Sequence, residues 1–139
     1  MASFIYTSCA EDEARGAIDF DTDTFKMVLQ TSSYTPNQAT HTKRSNLTNE
    51  VSGTGYTAGG ITVAVTITKD TENKKVTLSF AAGSWASSTI TARYAAVYKS
   101  RGGASSADEL VFLNDFGGDV VSTSSTFSVA ASTITKQLS

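Results

Sequence analysis

Ile61-Thr62-Val63-Ala64-Val65-Thr66-Ile67-Thr68 is the stretch on which the reading of this chain turns. Apolar and small polar residues alternate through it without interruption. In a strand, successive side chains point to opposite faces. Ile61, Val63, Val65 and Ile67 therefore share one face and predict contact with a core. Thr62, Ala64, Thr66 and Thr68 share the other, turned to solvent or to a partner. Asp70 to Lys74 reads as a polar turn, and Lys75 to Phe80 repeats the alternation with Val76, Leu78 and Phe80 inward. The two runs predict an antiparallel hairpin.

The same period recurs on either side. Thr24 to Gln30 predicts a strand with Phe25, Met27 and Leu29 on one face. Thr89 to Lys99 predicts a longer one, with Ile90, Ala92, Tyr94, Ala96 and Tyr98 on a single face. Glu109 to Phe116 is apolar on both faces at Leu110-Val111-Phe112-Leu113, as a central strand covered on both sides would be. Gly117-Gly118-Asp119 reads as a turn, and Ser125 to Ala131 and Thr133 to Leu138 complete the set. Ser3 to Arg15 is the helix candidate, with Ser3 as N-cap and Gly16 as stop. Its apolar stripe is narrow, so it needs docking to be stable. Between Thr31 and Tyr56 lies a long polar stretch with the lone proline, the lone histidine and a short helix expected around Ser45 to Glu50. About seven strands with frequent turn signals and no repeat predict a mostly β fold. That fold is one domain over residues 1–139, an antiparallel β-sandwich or barrel with a short N-terminal helix at 3–15.

Composition narrows the function classes. The chain has 139 residues, enough to bury a core without disulfides. Charged residues are 17% of it, below the usual quarter, and about 40 serines and threonines take their place. The formal charge of −2 gives no basic footprint for nucleic acid. Lys43-Arg44 and Lys74-Lys75 are isolated pairs, read as solvated loop charge balanced by Glu50, Asp70 and Glu72. Cys9 is alone, which excludes an internal disulfide and agrees with folding in a reducing cytoplasm. The start lacks a basic segment followed by an apolar run, so no signal peptide is expected. No window approaches about 18 apolar residues, so no membrane helix is expected.

Catalytic chemistry finds little footing. Nucleophilic catalysis needs a nucleophile, a base and an orienting group. The one histidine, His41, lies in a polar loop, and no Gly-x-Ser-x-Gly elbow is present. Asp19, Asp21 and Asp23 imitate the opening of a calcium loop, but Thr24 and Gln30 stand where its glycine and bidentate glutamate belong. An Asx-rich turn accounts for them as well. Asp108, Glu109 and Asp115 could supply a glycosidase carboxylate pair, with no spacing to single them out. Gly55-Tyr-Thr-Ala-Gly-Gly60 lacks the ending of a phosphate loop and reads as a turn, as does Arg101-Gly102-Gly103. No enzyme activity, no cofactor and no metal is expected. Four residues are singled out for a partner interface. Tyr56 and Trp85 lie near glycine turns and could form an aromatic platform. Phe4 and Ile5 lie with Ser8, Cys9 and Ala14 near one face of the weakly amphipathic N-terminal segment, which could fold on docking.

Several segments resemble a family of small virion structural proteins of tailed bacteriophages. They are Asp19-Phe-Asp-Thr-Asp-Thr-Phe-Lys26, Asn49-Glu-Val-Ser-Gly-Thr-Gly-Tyr-Thr-Ala-Gly-Gly60, Tyr98-Lys-Ser-Arg-Gly-Gly103 with Asp108-Glu-Leu110, and Asp115-Phe-Gly-Gly-Asp119. The resemblance implies a head decoration (cement) protein, made in the bacterial host cytoplasm and located in the virion. It implies the major capsid protein or other virion proteins as partners and no catalytic residues. A homo-oligomer, with a trimer favoured, suits binding to a symmetric shell; nucleic acid and membrane are not expected partners. A tail, neck or fibre-adaptor component is the alternative, and a carbohydrate-binding β-sandwich a more distant one.

Overall fold

The computed structural model describes residues 3–138. It is mostly β, with antiparallel sheets of five and three strands and one short helix. The elements are β1 (Phe4–Ile5), α1 (Thr7–Ala14), β2 (Phe25–Gln30), β3 (Ile61–Val63), β4 (Val65–Asp70), β5 (Lys75–Phe80), β6 (Gly83–Lys99), β7 (Leu110–Val129) and β8 (Ser132–Gln137). The larger sheet has the order β1-β7-β6-β2-β3 and the smaller β4-β5-β8. The two form a sandwich, not a closed barrel.

The Ile61–Thr68 run is two strands rather than one. The chain leaves the larger sheet after Val63 and enters the smaller at Val65, with the Ala64 carbonyl taken by the Ala81 N–H at 2.9 Å. Strands commonly switch sheets at such corners. The switch divides the predicted apolar face. Val63 is buried, Ile61 and Val65 pack half-buried on the core, and Ile67 is 44% exposed. The hairpin with β5 forms as expected, in unbroken register from Val65↔Phe80 to Asp70↔Lys75. On its other side β5 pairs with β8, from Lys75↔Gln137 to Phe80↔Ser132. Thr66-Ile67-Thr68-Lys69 and Thr133-Ile134-Thr135-Lys136 therefore flank β5 with the same four residues in the same register.

Bulges correct two further expectations. Between Asp115↔Tyr94 and Val120↔Ala92, five steps of β7 face two of β6. Gly117-Gly118-Asp119 is thus a wide bulge inside one long strand, not a turn between two, and Gly117 adopts φ +81° within it. Ser125 onward is the end of the same strand. The bulge also flips β6 across Arg93. Ile90 and Ala92 face the larger core together with Ala95 and Val97, while Tyr94, Ala96 and Tyr98 face the opposite side. An irregularity in the ladder changes which face a side chain meets, so strict alternation cannot be carried through it. Two more bulges are held by buried serines. Ser88 Oγ lies 2.8 Å from Ser122 Oγ and donates to the Ser125 carbonyl at 2.9 Å, and Ile90 N–H donates to Ser122 Oγ at 3.2 Å.

At the N-terminus the expected helix over 3–15 begins only at Thr7. Phe4 and Ile5 pair with Leu113 and Phe112 as a short edge strand. Ser3 is not an N-cap; its hydroxyl accepts the Asp115 N–H at 2.9 Å. Gly16, at φ +80°, ends the helix as expected. The segment 31–56 is a cover rather than a free loop. Tyr34, Leu47 and Tyr56 close over Val28, Tyr94, Ala96, Tyr98, Leu110 and Leu113, giving the larger sheet a second buried face. Within it the short helix is one 3-10 turn, Arg44–Asn46.

Gln30 is fully buried at the end of β2, and neither atom of its side-chain amide has a hydrogen-bond partner among the described residues. An unpaired buried amide costs about 1–3 kcal/mol. Gln30→Leu should therefore raise the midpoint of thermal unfolding rather than lower it, as measured by calorimetry. Gly60 sits at φ +78°, and an added Cβ would collide with the Met27 carbonyl. Gly60→Ala should cost about 3 kcal/mol or more in denaturant unfolding.

Candidate functional site

One end of the sandwich collects most of the ordered charge. The β6–β7 connection opens there with Ser100 to Asp108, beside the turn before β2 and the 3-10 turn at Arg44. Asp108 and Glu109 are buried at 1% and 4% exposure. Arg101 grips Glu109 with two bonds, Nε to Oε1 at 2.9 Å and a terminal nitrogen to Oε2 at 2.8 Å. Lys43 Nζ approaches Glu109 at 3.5 Å. Arg44 Nε donates to Asp108 at 2.8 Å, and its guanidinium lies 5.0 Å from the Tyr98 ring centre. Lys99 bridges to Asp23 at 2.9 Å. Lys43 and Arg44 are thus partners of buried carboxylates, a correction to their reading as solvated loop charge. Burial raises the Glu109 pKa, but the Arg101 hydrogen bonds and the charges of Lys43 and Arg101 outweigh it, and the net direction is downward.

A second network adjoins it. Glu50 accepts the Tyr56 hydroxyl proton at 2.6 Å and the Gly59 N–H at 2.7 Å, and Tyr98 donates to the Gly59 carbonyl at 2.6 Å. Between the two networks lies a polar cleft bordered by Lys26, Arg44, Glu50 and Tyr98. Asp23, Lys26, Glu50, Gly59, Tyr98, Lys99, Arg101, Asp108 and Glu109 come together at this end. Residues 115–119 form the wide bulge farther along β7.

The singled-out residues fall in different places. Trp85 is buried at 3% exposure, stacked on Tyr56 with ring centres 6.1 Å apart and edge-on to Phe127. Tyr56 is half-buried, with its hydroxyl spent on Glu50 and on the Leu29 N–H at 3.1 Å. The pair is brought together, but as packing at the border of the inter-sheet core and not as an exposed platform. Phe4 is half-buried and Ile5 is 40% exposed, both at the β1 edge. Asp19 Oδ1 accepts the N–H groups of Asp21 and Thr22, and Asp23 accepts the Asp19 N–H at 2.7 Å. These backbone bonds hold the Asp19 pKa down. The triplet is an Asx-type turn, and no cluster of metal-ligating side chains occurs among the described residues. Asp115 is paired with Arg93 at 3.2 Å and accepts the Gly117 N–H at 2.8 Å.

His41 ends a chain of hydrogen bonds. Its Nδ1 lies 2.7 Å from the Tyr34 hydroxyl, which lies 3.0 Å from the buried Tyr6 hydroxyl. Desolvation lowers the His41 pKa and raises that of Tyr6. With neutral His41 accepting at Nδ1, Tyr6 donates to Tyr34 and Tyr34 to His41, so both hydroxyl protons have an acceptor. Burial pushes the Cys9 thiol up to about 12, which keeps it protonated at neutral pH. Sequence reasoning missed the ion network because its partners lie far apart in the chain; only Arg101 and Glu109, bracketing one Gly/Ser loop, carried a local signal.

No family model, curated protein or solved structure matches the chain. No helix among the described residues is long and apolar enough to cross a membrane.

Glu109→Gln removes the charge that two cations face while leaving them half-exposed, and should cost about 1–3 kcal/mol at pH 7. Because the folded pKa lies below the ordinary glutamate value, the contribution is complete above about pH 4.5 and is lost as pH falls through the folded value. Urea unfolding from pH 7 to pH 3 should show the wild type and Glu109→Gln converging at the acid end.

Proposed function

We propose that this chain is a structural protein of a bacteriophage virion: a capsid decoration protein that binds the assembled head shell in many copies, itself oligomeric, with a trimer favoured. The observation that carries the reading is where the resembling segments lie. Parts of three of them, separated by long stretches of chain, come together at one end, where two of the segments supply Asp23 with Lys99 and Arg101 with Glu109, while Lys43 and Arg44 join from outside them.

Physical features favour a binding body over a catalyst. The carboxylates that could have served as acid and base are each held by a cation or by backbone N–H groups. Burial of Trp85 removes the platform on which a carbohydrate-binding reading leaned. A cement protein needs a rigid body, a weakly charged surface and contacts repeated by symmetry, so that modest affinity per copy adds up over the shell. The outer face of β4, β5 and β8, with Thr66, Thr68, Thr77, Thr133 and Thr135, offers hydroxyls to a partner without presenting a large apolar patch.

Quantifying the proteins of purified particles tests this. The role requires copy numbers comparable to the capsid lattice. A handful of copies at one vertex, or a stack along a tail, would move the chain to the neck or tail and overturn the decoration role.

A further inference from the structure

Most of the charge at the loop end of the sandwich is engaged within the chain, but two cations there are not fully matched. The half-buried Lys26 has neither an ion pair nor a side-chain hydrogen bond among the described residues. Arg44 uses one nitrogen only. Its Nε donates to the buried Asp108 at 2.8 Å, and its two terminal nitrogens have no hydrogen-bond partner among the described residues. Both side chains border the polar cleft, about 290 Å³ in volume, whose other walls include Glu50, Tyr98 and the Gly102-Gly103 corner.

The pose of Arg44 is set from behind. Asp108 holds it through Nε, and the Tyr98 ring centre lies 5.0 Å from the guanidinium carbon. Asp108 is itself fixed by the Arg101 N–H at 2.9 Å. Lys26 stands directly opposite Tyr98 in the β2–β6 ladder, so the two side chains emerge side by side on one face of the sheet. Tyr98 is thus a neighbour of both cations. The N–H groups of Gly102 and Gly103 make no hydrogen bond among the described residues, and a Cβ added at either would meet nothing within 4 Å, so the corner is uncrowded. Across the cleft the chemistry reverses. Glu50 takes the Tyr56 hydroxyl and the Gly59 N–H both at Oε2, leaving Oε1 able to accept.

We infer that this cleft receives an acidic side chain, Asp or Glu, of another protein, with the carboxylate held by Lys26 and Arg44 and a flanking peptide N–H given to Glu50. A guanidinium with both terminal nitrogens free matches the two oxygens of a carboxylate. Glu50 selects against a bare phosphate: its charge opposes a dianion more than a single carboxylate, and a peptide brings N–H donors that it can accept. In this arrangement Asp108 is a positioning residue, and the buried ion network is the backing that keeps Arg44 aimed. One such contact is weak and salt-sensitive, and it gains strength when many copies engage a repeating surface. The inference goes beyond the virion reading and does not depend on it.

The test is a titration of the isotope-labelled chain with the peptide acetyl-Gly-Glu-Gly-amide at low salt, followed by backbone amide shifts. We expect saturable shifts centred on Lys26, Arg44, Tyr98 and Gly102, with a Kd in the millimolar range. Lys26→Gln leaves every ion pair of the described fold in place and should weaken binding about three- to fivefold. Arg44→Lys keeps the charge but not the fork and should weaken it about tenfold. The neutral peptide acetyl-Gly-Gln-Gly-amide should leave these amides unmoved. No saturable shift, equal shifts with the neutral peptide, or undiminished binding by Lys26→Gln would each overturn the inference. Tighter binding of inorganic phosphate than of the acidic peptide would also overturn it, by making the cleft a phosphoryl site. Chain abundant on particles but blind to the peptide would sink the cleft alone; peptide binding by a chain absent from particles would sink the virion role alone.

Discussion

Everything in this molecule hangs on the ribbon formed by β6 and β7. It supplies the centre of the larger sheet, so β1 and β2 are placed by pairing with its two outer edges. It also supplies side chains to both buried faces, Ala95 and Val97 to one, Tyr94 and Tyr98 to the other. A ribbon of this length cannot stay straight and still cover a small core. The bulges at Ser87, Ser124 and Gly117 let it bend, and the Ser88–Ser122 contact satisfies the polar groups the bends would strand.

The ribbon has a cost in charge as well as in geometry. At the loop end the ribbon buries Asp108 and Glu109, and buried carboxylates persist only where cations and hydrogen bonds compensate. The compensation comes from the cover segment through Lys43 and Arg44 and from the ribbon's own Arg101. The cover is thus held to the sheet in two ways, by packing at Tyr34 and Tyr56 and by ion pairs at the rim.

What could be read in advance follows from this division. Strands whose residues alternate announced themselves: β2 lies within one residue of Thr24 to Gln30, and β5 matches Lys75 to Phe80. The hairpin β4–β5 was legible because its turn is local. The sheet switch at Ala64 was not, since a strand that changes partners keeps its alternation. The face flip at Arg93 was hidden because a bulge is set by the partner strand. Phe4 and Ile5 fit a helical stripe as well as an edge strand, and only Leu113 and Phe112, distant in sequence, decide between them. For the site, residue type raised Tyr56 and Trp85, but aromatic identity does not encode depth. The ion pairs are products of long-range contact and left almost no local trace.

The repeated Thr-Ile-Thr-Lys around β5 has a consequence for how the chain reaches its fold. To β5, the strands β4 and β8 are nearly interchangeable neighbours, and side-chain fit alone would hardly tell one edge from the other. Sequence distance separates them. β4 is joined to β5 by a short turn and closes quickly, whereas β8 must wait for the whole of β6 and β7. During synthesis from the N-terminus the first edge is already taken before the second copy of the motif exists. Order of arrival, rather than specificity of contact, then assigns each copy to its side.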